Sequence, residues 1–195
     1  MNTRDKILNT ALALFNEQGT GAVSTNHIAA ATEISPGNLY YHFRNKEDII
    51  RALFERLFTE WDQAFQLPAD RAPELADFEG LIVQNYQLIW AYRFAYREMT
   101  VLLHNDPDLQ ARYQAVRRRG YAGFAELIDA FAAAGVLTRP ESAQEQMALT
   151  ELCWLVSEQW PINLELSGRA FDAAGIQAGV ALMRHIFQPY LIRRN

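Results

Sequence analysis

The stretch Ser35-Pro36-Gly37-Asn38-Leu39-Tyr40-Tyr41-His42-Phe43 decides how the first part of the chain is read. Ser35 suits a helix N-cap. Pro36 suits the first helical position, where no donor is needed. After about two turns of helix, Arg44-Asn45-Lys46 restarts the chain. Leu39 and Phe43 share one helical face. Gly37 and Tyr41 fall opposite, flanked by Asn38 and Tyr40. A helix this short does not persist alone. Its two apolar anchors must therefore hold it while a glycine, an amide and two phenols face outward. A small residue and hydrogen-bonding side chains on a rigidly held helix suit a DNA major groove.

Upstream, a helix is predicted over Thr3 to Gln18, with Ile7, Leu8, Ala11, Leu14 and Phe15 as its stripe. Gly19 and Gly21 stop it. Ser24 or Thr25 caps a second helix, with Ile28 and Ala29 inward, ending near Thr32. Glu33-Ile34-Ser35 then turns into the short third helix. This is a helix-turn-helix with a supporting first helix. The spacing alone also fits an ordinary three-helix packing unit. Downstream, Asn45 caps a fourth helix from Lys46 to about Gln66, with Ile49, Ile50, Leu53, Leu57 and Trp61 inward.

Residues Lys6 to Ile50 resemble the DNA-binding domain of TetR-type transcriptional regulators. The matching pieces are Ile7-Leu8, Ala11, Leu14-Phe15, Gly19, Ser24-Thr25, Ile28-Ala29, the string from Gly37 to Phe43, Asn45-Lys46 and Leu53. The resemblance implies double-stranded operator DNA, a small-molecule effector and a homodimer as partners. It divides the chain into a DNA-binding domain over 1–50 and a helical effector-binding and dimerisation domain over 51–195. Gly37, Asn38 and Tyr41 are the base-edge candidates. Thr25, Tyr40 and His42 are phosphate candidates by hydroxyl or ring nitrogen. Lys46, at a helix N-terminus where the dipole favours anions, is read as a phosphate contact. Glu33 departs from the family pattern, which usually has glycine there. A left-handed Glu is strained, so a slightly different turn is expected.

Net charge is −5, and half of the residues are hydrophobic. The charges of residues 1–52 cancel: Arg4, Lys6, Arg44, Lys46 and Arg51 balance Asp5, Glu17, Glu33, Glu47 and Asp48. A neutral head on an acidic body suggests docking by one end, with modest phosphate contacts. No apolar run approaches the ~20 residues of a membrane span, and the start lacks a signal-peptide core. A cytoplasmic protein without membrane contact is expected. Cys153 is the lone cysteine, read as a small buried hydrophobe.

The remainder reads as further helices: about Pro73 to Tyr92, Phe94 to His104, Pro107 to Ala134, Thr138 to Glu165 with Pro161 kinking or splitting the last turn, and Asp172 to Ile192. The fold class is all-α, with about nine helices. Aromatic and polar residues interleave densely on the fifth to eighth helices. Taken singly most are core, but as a set they resemble a small-molecule pocket. The resemblance implies an effector site here, with Trp90, Arg97, Arg117, Tyr121 and Trp154 as its candidates. An acyl-type or aromatic effector is expected, since the head string resembles regulators of polyhydroxyalkanoate and acyl-chain metabolism. Ile176, Val180, Met183 and Phe187 give the last helix an apolar face. Met147, Leu152, Trp154 and Leu155 make the eighth helix similarly rich. TetR-like proteins usually dimerise through their last two helices, so the two helices are read as a self-complementary interface.

His27, His42, His104 and His185 are scattered, without a metal-ligand partner at useful spacing. There is no Gly-rich phosphate loop after a strand and no nucleophile elbow. No catalytic residue, metal or cofactor is assigned. The reading is a DNA-binding regulator, a repressor released by an effector. A helical co-regulatory or scaffold protein without specific DNA binding is the alternative, ahead of a small all-helical enzyme.

Overall fold

A computed structural model describes residues 2–192. Among them lie α1 (Thr3–Ala22), α2 (Thr25–Thr32), α3 (Pro36–His42), α4 (Lys46–Ala64), α5 (Leu75–Ala91), α6 (Arg93–Asn105), α7 (Pro107–Ala133), α8 (Ala143–Leu166) and α9 (Ala173–Phe187), and no strand. Local chemistry sets most of the starts. Ser24, Ser35 and Ser142 each accept an N–H at the third position of α2, α3 and α8. Asn45 and Asp172 do the same for α4 and α9, both at 2.8 Å. Each satisfies a donor that the first turn leaves open.

Several boundaries differ from expectation. α8 starts behind Ser142 rather than at Thr138, and it runs through Pro161 without splitting. α9 ends at Phe187, shortly before Pro189, whose missing N–H cannot continue the ladder. Gly19 interrupts α1 at φ 77°, after which one more turn reaches Ala22. The turn between α2 and α3 keeps the left-handed residue that the sequence reading expected it to avoid. Glu33 adopts the left-handed conformation (φ 60°, ψ 40°). Its N–H reaches the Ala29 and Ala30 carbonyls, and the Ile34 N–H reaches Ala29 at 3.0 Å. These bonds close the end of α2 and outweigh the strain.

The chain packs as two compact units. The first holds the residues up to Glu60 together with Ala91–Gln110; the second holds Trp61–Trp90 and the residues from Ala111 onward. The first unit therefore takes in α6, beyond the boundary expected at residue 50. Packing explains this: the Phe94 ring of α6 lies 5.4 Å from Phe15 and 6.3 Å from Phe54. The start of α6 has no side-chain cap of its own. Asn16 of α1 supplies one, accepting from the Phe94 N–H at 3.0 Å and donating to the Ala91 carbonyl at 2.7 Å. Glu98 accepts from both the N–H and the hydroxyl of Thr20, next to the Gly19 break.

The second unit has its own core, in which Phe78, Ile82, Tyr86, Phe131, Val180 and Phe187 are buried together. Gly179 admits this packing, because a Cβ there would come within 2.6 Å of the Tyr86 ring. Among the described residues no helix is long and apolar enough to cross a membrane.

Candidate functional site

In the first unit, α3 is anchored by fully buried Leu39 and by Phe43 at its C-cap. Gly37, Asn38, Tyr40 and Tyr41 are exposed, and Tyr41 is 84% accessible. A side chain that large and open gains nothing from the core, which is what a reading surface requires. His42 is half-buried, edge-on to Tyr41 at 5.1 Å. The Thr25 and Tyr40 hydroxyls meet at 3.1 Å and join α2 to α3. Lys46 is half-buried, and its Nζ donates to the Thr20 carbonyl at 2.6 Å. An ammonium has three donors, so this tie places Lys46 without exhausting it. The seven expected DNA-facing residues thus lie within one unit, on α2, α3 and the start of α4.

The second unit contains a cavity of about 550 Å³. α4 contributes Trp61, α5 Ile82 and Asn85, α7 Phe124, α8 Trp154 and Ser157. Most of the lining is apolar, which suits a small-molecule site. At the surface end, Asp62 and Arg119 form an exposed ion pair at 2.7 Å. Burial pushes the Cys153 thiol, also in the wall, up to about 12.

Of the five expected effector residues, Trp154 lines this cavity. The other four do not. Arg97 belongs to the first unit and donates to the Asn16 carbonyl at 2.6 Å. Trp90 stacks on Phe171 with centroids 4.6 Å apart. Arg117 and Tyr121 stand behind the wall. Arg117 donates to Tyr121 at 3.0 Å and to Glu158, and it lies over the Trp154 ring at 5.2 Å. Glu158 Oε1 also accepts from Tyr113 at 3.0 Å and from the Trp154 indole at 2.8 Å. Burial opposes the Arg117 charge, but Glu158 and the two phenols outweigh it and hold the guanidinium above its ordinary range. This network fixes the Trp154 ring, which sits so close over Gly120 that a Cβ there would clash.

Trp61 and Asn85 were not anticipated as lining, whereas Phe124 belonged to the aromatic set read as a pocket. Asn85 carried a usable signal. Phe78, Leu81, Ile82, Asn85 and Ile89 fall on one stripe of α5, and Asn85 is its one polar member.

The expected dimer face also needs correction. Val180, Met183 and Phe187 are buried in the core of their own chain, and Ile176 packs against it. The large apolar side chains that α8 and α9 expose are Met147, Leu152, Leu155, Leu166 and Leu182. Among the described residues no cluster of His, Cys, Asp and Glu could hold a metal.

A family model described as TetR, bacterial transcriptional repressor, matches residues 56–194, and one for bacterial regulatory proteins, tetR family, matches residues 7–53. The crystal structure of a TetR-family transcriptional regulator from Marinobacter aquaeolei VT8 is 35% identical, covers 98% of this chain and 92% of its own, and superposes with a TM-score of 0.88. The HTH-type transcriptional regulator QacR of Staphylococcus aureus is 38% identical over 34% of this chain and 35% of its own. AcrR of Shigella flexneri is 40% identical over 27% of this chain and 25% of its own. The chain thus spans about a quarter to a third of the length of these two curated relatives.

Proposed function

Because the chain belongs to the TetR family of bacterial transcriptional regulators, we propose that it is a repressor that binds an inverted-repeat operator as a dimer and leaves it when a small molecule fills the cavity. The observation that carries the DNA-binding part is α3: a short helix pinned by Leu39, with Gly37, Asn38 and Tyr41 turned to solvent. Tyr41 and Asn38 read base edges, while Thr25, Tyr40, His42 and Lys46 position the backbone. Two such helices on one face of the duplex require half-sites about 34 Å or more apart.

The dimer forms through the exposed faces of α8 and α9. Leu152, Leu155 and Leu182 stand in place of the buried α9 residues as its apolar centre. A two-fold contact of this kind is self-complementary.

Regulation follows if the ligand prefers one arrangement of the heads over another. Trp61, in the cavity wall, belongs to α4, and the other end of α4 carries Lys46. A ligand that displaces Trp61 therefore acts on the helix that follows the recognition helix. Typical couplings of about 1–3 kcal/mol change operator affinity by roughly 5–150-fold.

The test is selection of DNA from a random pool with the wild type and with Tyr41→Ala. The wild type enriches an inverted repeat, and the variant loses affinity for it while nonspecific binding persists. Absence of any enriched sequence, or equal affinity of the variant, would sink the proposal.

A further inference from the structure

The cavity wall contains one carboxamide side chain, Asn85 of α5. Asn85 is only 7% accessible. Its neighbours on the wall include Leu81, Ile82 and Ile89. Among the described residues its amide makes no hydrogen bond. Buried amides are almost always partnered, since an unmade hydrogen bond is costly. An amide without a protein partner in an apolar wall can donate to, or accept from, a ligand atom.

The charges around the cavity are already committed. Glu158 is saturated by Arg117, Tyr113 and Trp154. Asp62 and Arg119 neutralise each other at the exposed end. Glu126 is exposed. The buried wall therefore offers no counter-charge to an ion, and an ion buried without one is strongly disfavoured.

We propose that the cavity takes an uncharged, largely apolar molecule carrying one carbonyl or hydroxyl oxygen, and that Asn85 hydrogen-bonds that oxygen. This rests on the regulatory reading above and narrows its ligand class. It also sharpens the expected acyl-type or aromatic effector: an ester, ketone or alcohol fits, and a free carboxylate does not.

The experiment uses three probes of equal chain length, undecan-2-one, undecanoate and undecylammonium, whose flexible chains adapt to the cavity's shape. Binding to the full-length protein is read from tryptophan fluorescence, because Trp61 and Trp154 line the cavity. The ketone binds more than about tenfold more tightly than either ion. Asn85→Leu conserves volume and removes the unpaired amide, so its thermal midpoint is at or above that of the wild type. It weakens ketone binding roughly three- to tenfold, the worth of one hydrogen bond. Gly123→Leu fills open space in the cavity, since nothing lies within 4 Å of a Cβ there, and abolishes ketone binding.

Undecanoate or undecylammonium binding as tightly as the ketone would overturn the proposal. So would ketone affinity unchanged by Asn85→Leu, persistent binding in Gly123→Leu, or no ketone binding up to its solubility limit. Ketone binding that leaves operator affinity unaltered supports the ligand class and overturns the regulatory reading instead.

Discussion

Glu33→Gly should make this protein more stable, although it deletes a side chain and loosens the unfolded chain. Glu33 is the one non-glycine residue with positive φ among the described residues. Left-handed backbone costs a residue with a Cβ about 1–2 kcal/mol. Glycine removes that strain but costs about 0.5–1 kcal/mol in added unfolded-state freedom. The difference favours the variant by about 0.5–1 kcal/mol. Glu33 is exposed, so little packing is lost. The closing bonds to Ala29 and Ala30 come from backbone N–H groups, which glycine retains. For a chain of this size the thermal midpoint rises by about 1–4 °C. Wild type, Glu33→Gly and Glu33→Ala are melted at one protein concentration, so that assembly does not shift the comparison. Alanine keeps the strain and gains nothing. A Glu33→Gly protein that melts below the wild type, or a Glu33→Ala protein that gains as much, would refute the strain argument.

Lys46→Ala removes the ammonium proposed to contact phosphate, together with its tie to Thr20. Operator affinity falls, and the slope of log affinity against log salt flattens by about 0.9 per half-site; an unchanged slope would confine Lys46 to the internal tie. Leu155→Glu produces monomers in sedimentation with little loss of helical stability, because Leu155 is exposed. Phe187→Glu instead melts the second unit, because Phe187 is fully buried in its core; Leu155→Glu dimers would remove the proposed interface. Native Cys153, pushed up to about 12 by burial, alkylates at pH 8 about a thousandfold more slowly than an ordinary thiol. The rate climbs as pH rises toward 12, and a fast reaction at pH 8 would show the wall to be open.

The features legible in the sequence are those that short segments decide for themselves. Ser24, Ser35, Asn45 and Asp172 cap helices with atoms a few residues away, and the chain could be parsed at those points. The exposed face of α3 was legible because anchor and outward residues alternate on one short helix. The cavity was not, because it depends on which helices converge. Trp90 and Trp61 look alike in a stripe, yet one stacks on Phe171 and the other lines the cavity. Arg117 looked like a ligand contact because it is a charge among aromatics; it is instead committed to Glu158. The α9 part of the expected dimer face was misread for a related reason. An apolar face that packs inward and one that meets a partner have the same spacing, and burial alone separates Phe187 from Leu155.

The two units use polar groups in opposite ways, and the proposed switch depends on that difference. In the first unit, Asn16, Glu98, Arg97 and Lys46 all bond to main-chain groups in α1 or α6, or beside the Gly19 break. Such bonds fix helices to one another and leave the head few alternative packings. In the second unit, polar groups gather into the Glu158 network behind one wall, and the cavity keeps a single unfilled amide at Asn85. A rigid body displaced at one point moves as a whole, whereas a soft one absorbs the push locally. α4 contributes buried Leu53 and Leu57 to the first unit, and Trp61 to the cavity wall of the second. The proposed switch needs the internal ties of the first unit, because a ligand acting on Trp61 changes operator binding only if α3 follows α4. By the same reasoning, breaking the head's internal ties, as in Glu98→Ala, weakens the ligand's effect on operator binding more than it weakens ligand binding itself.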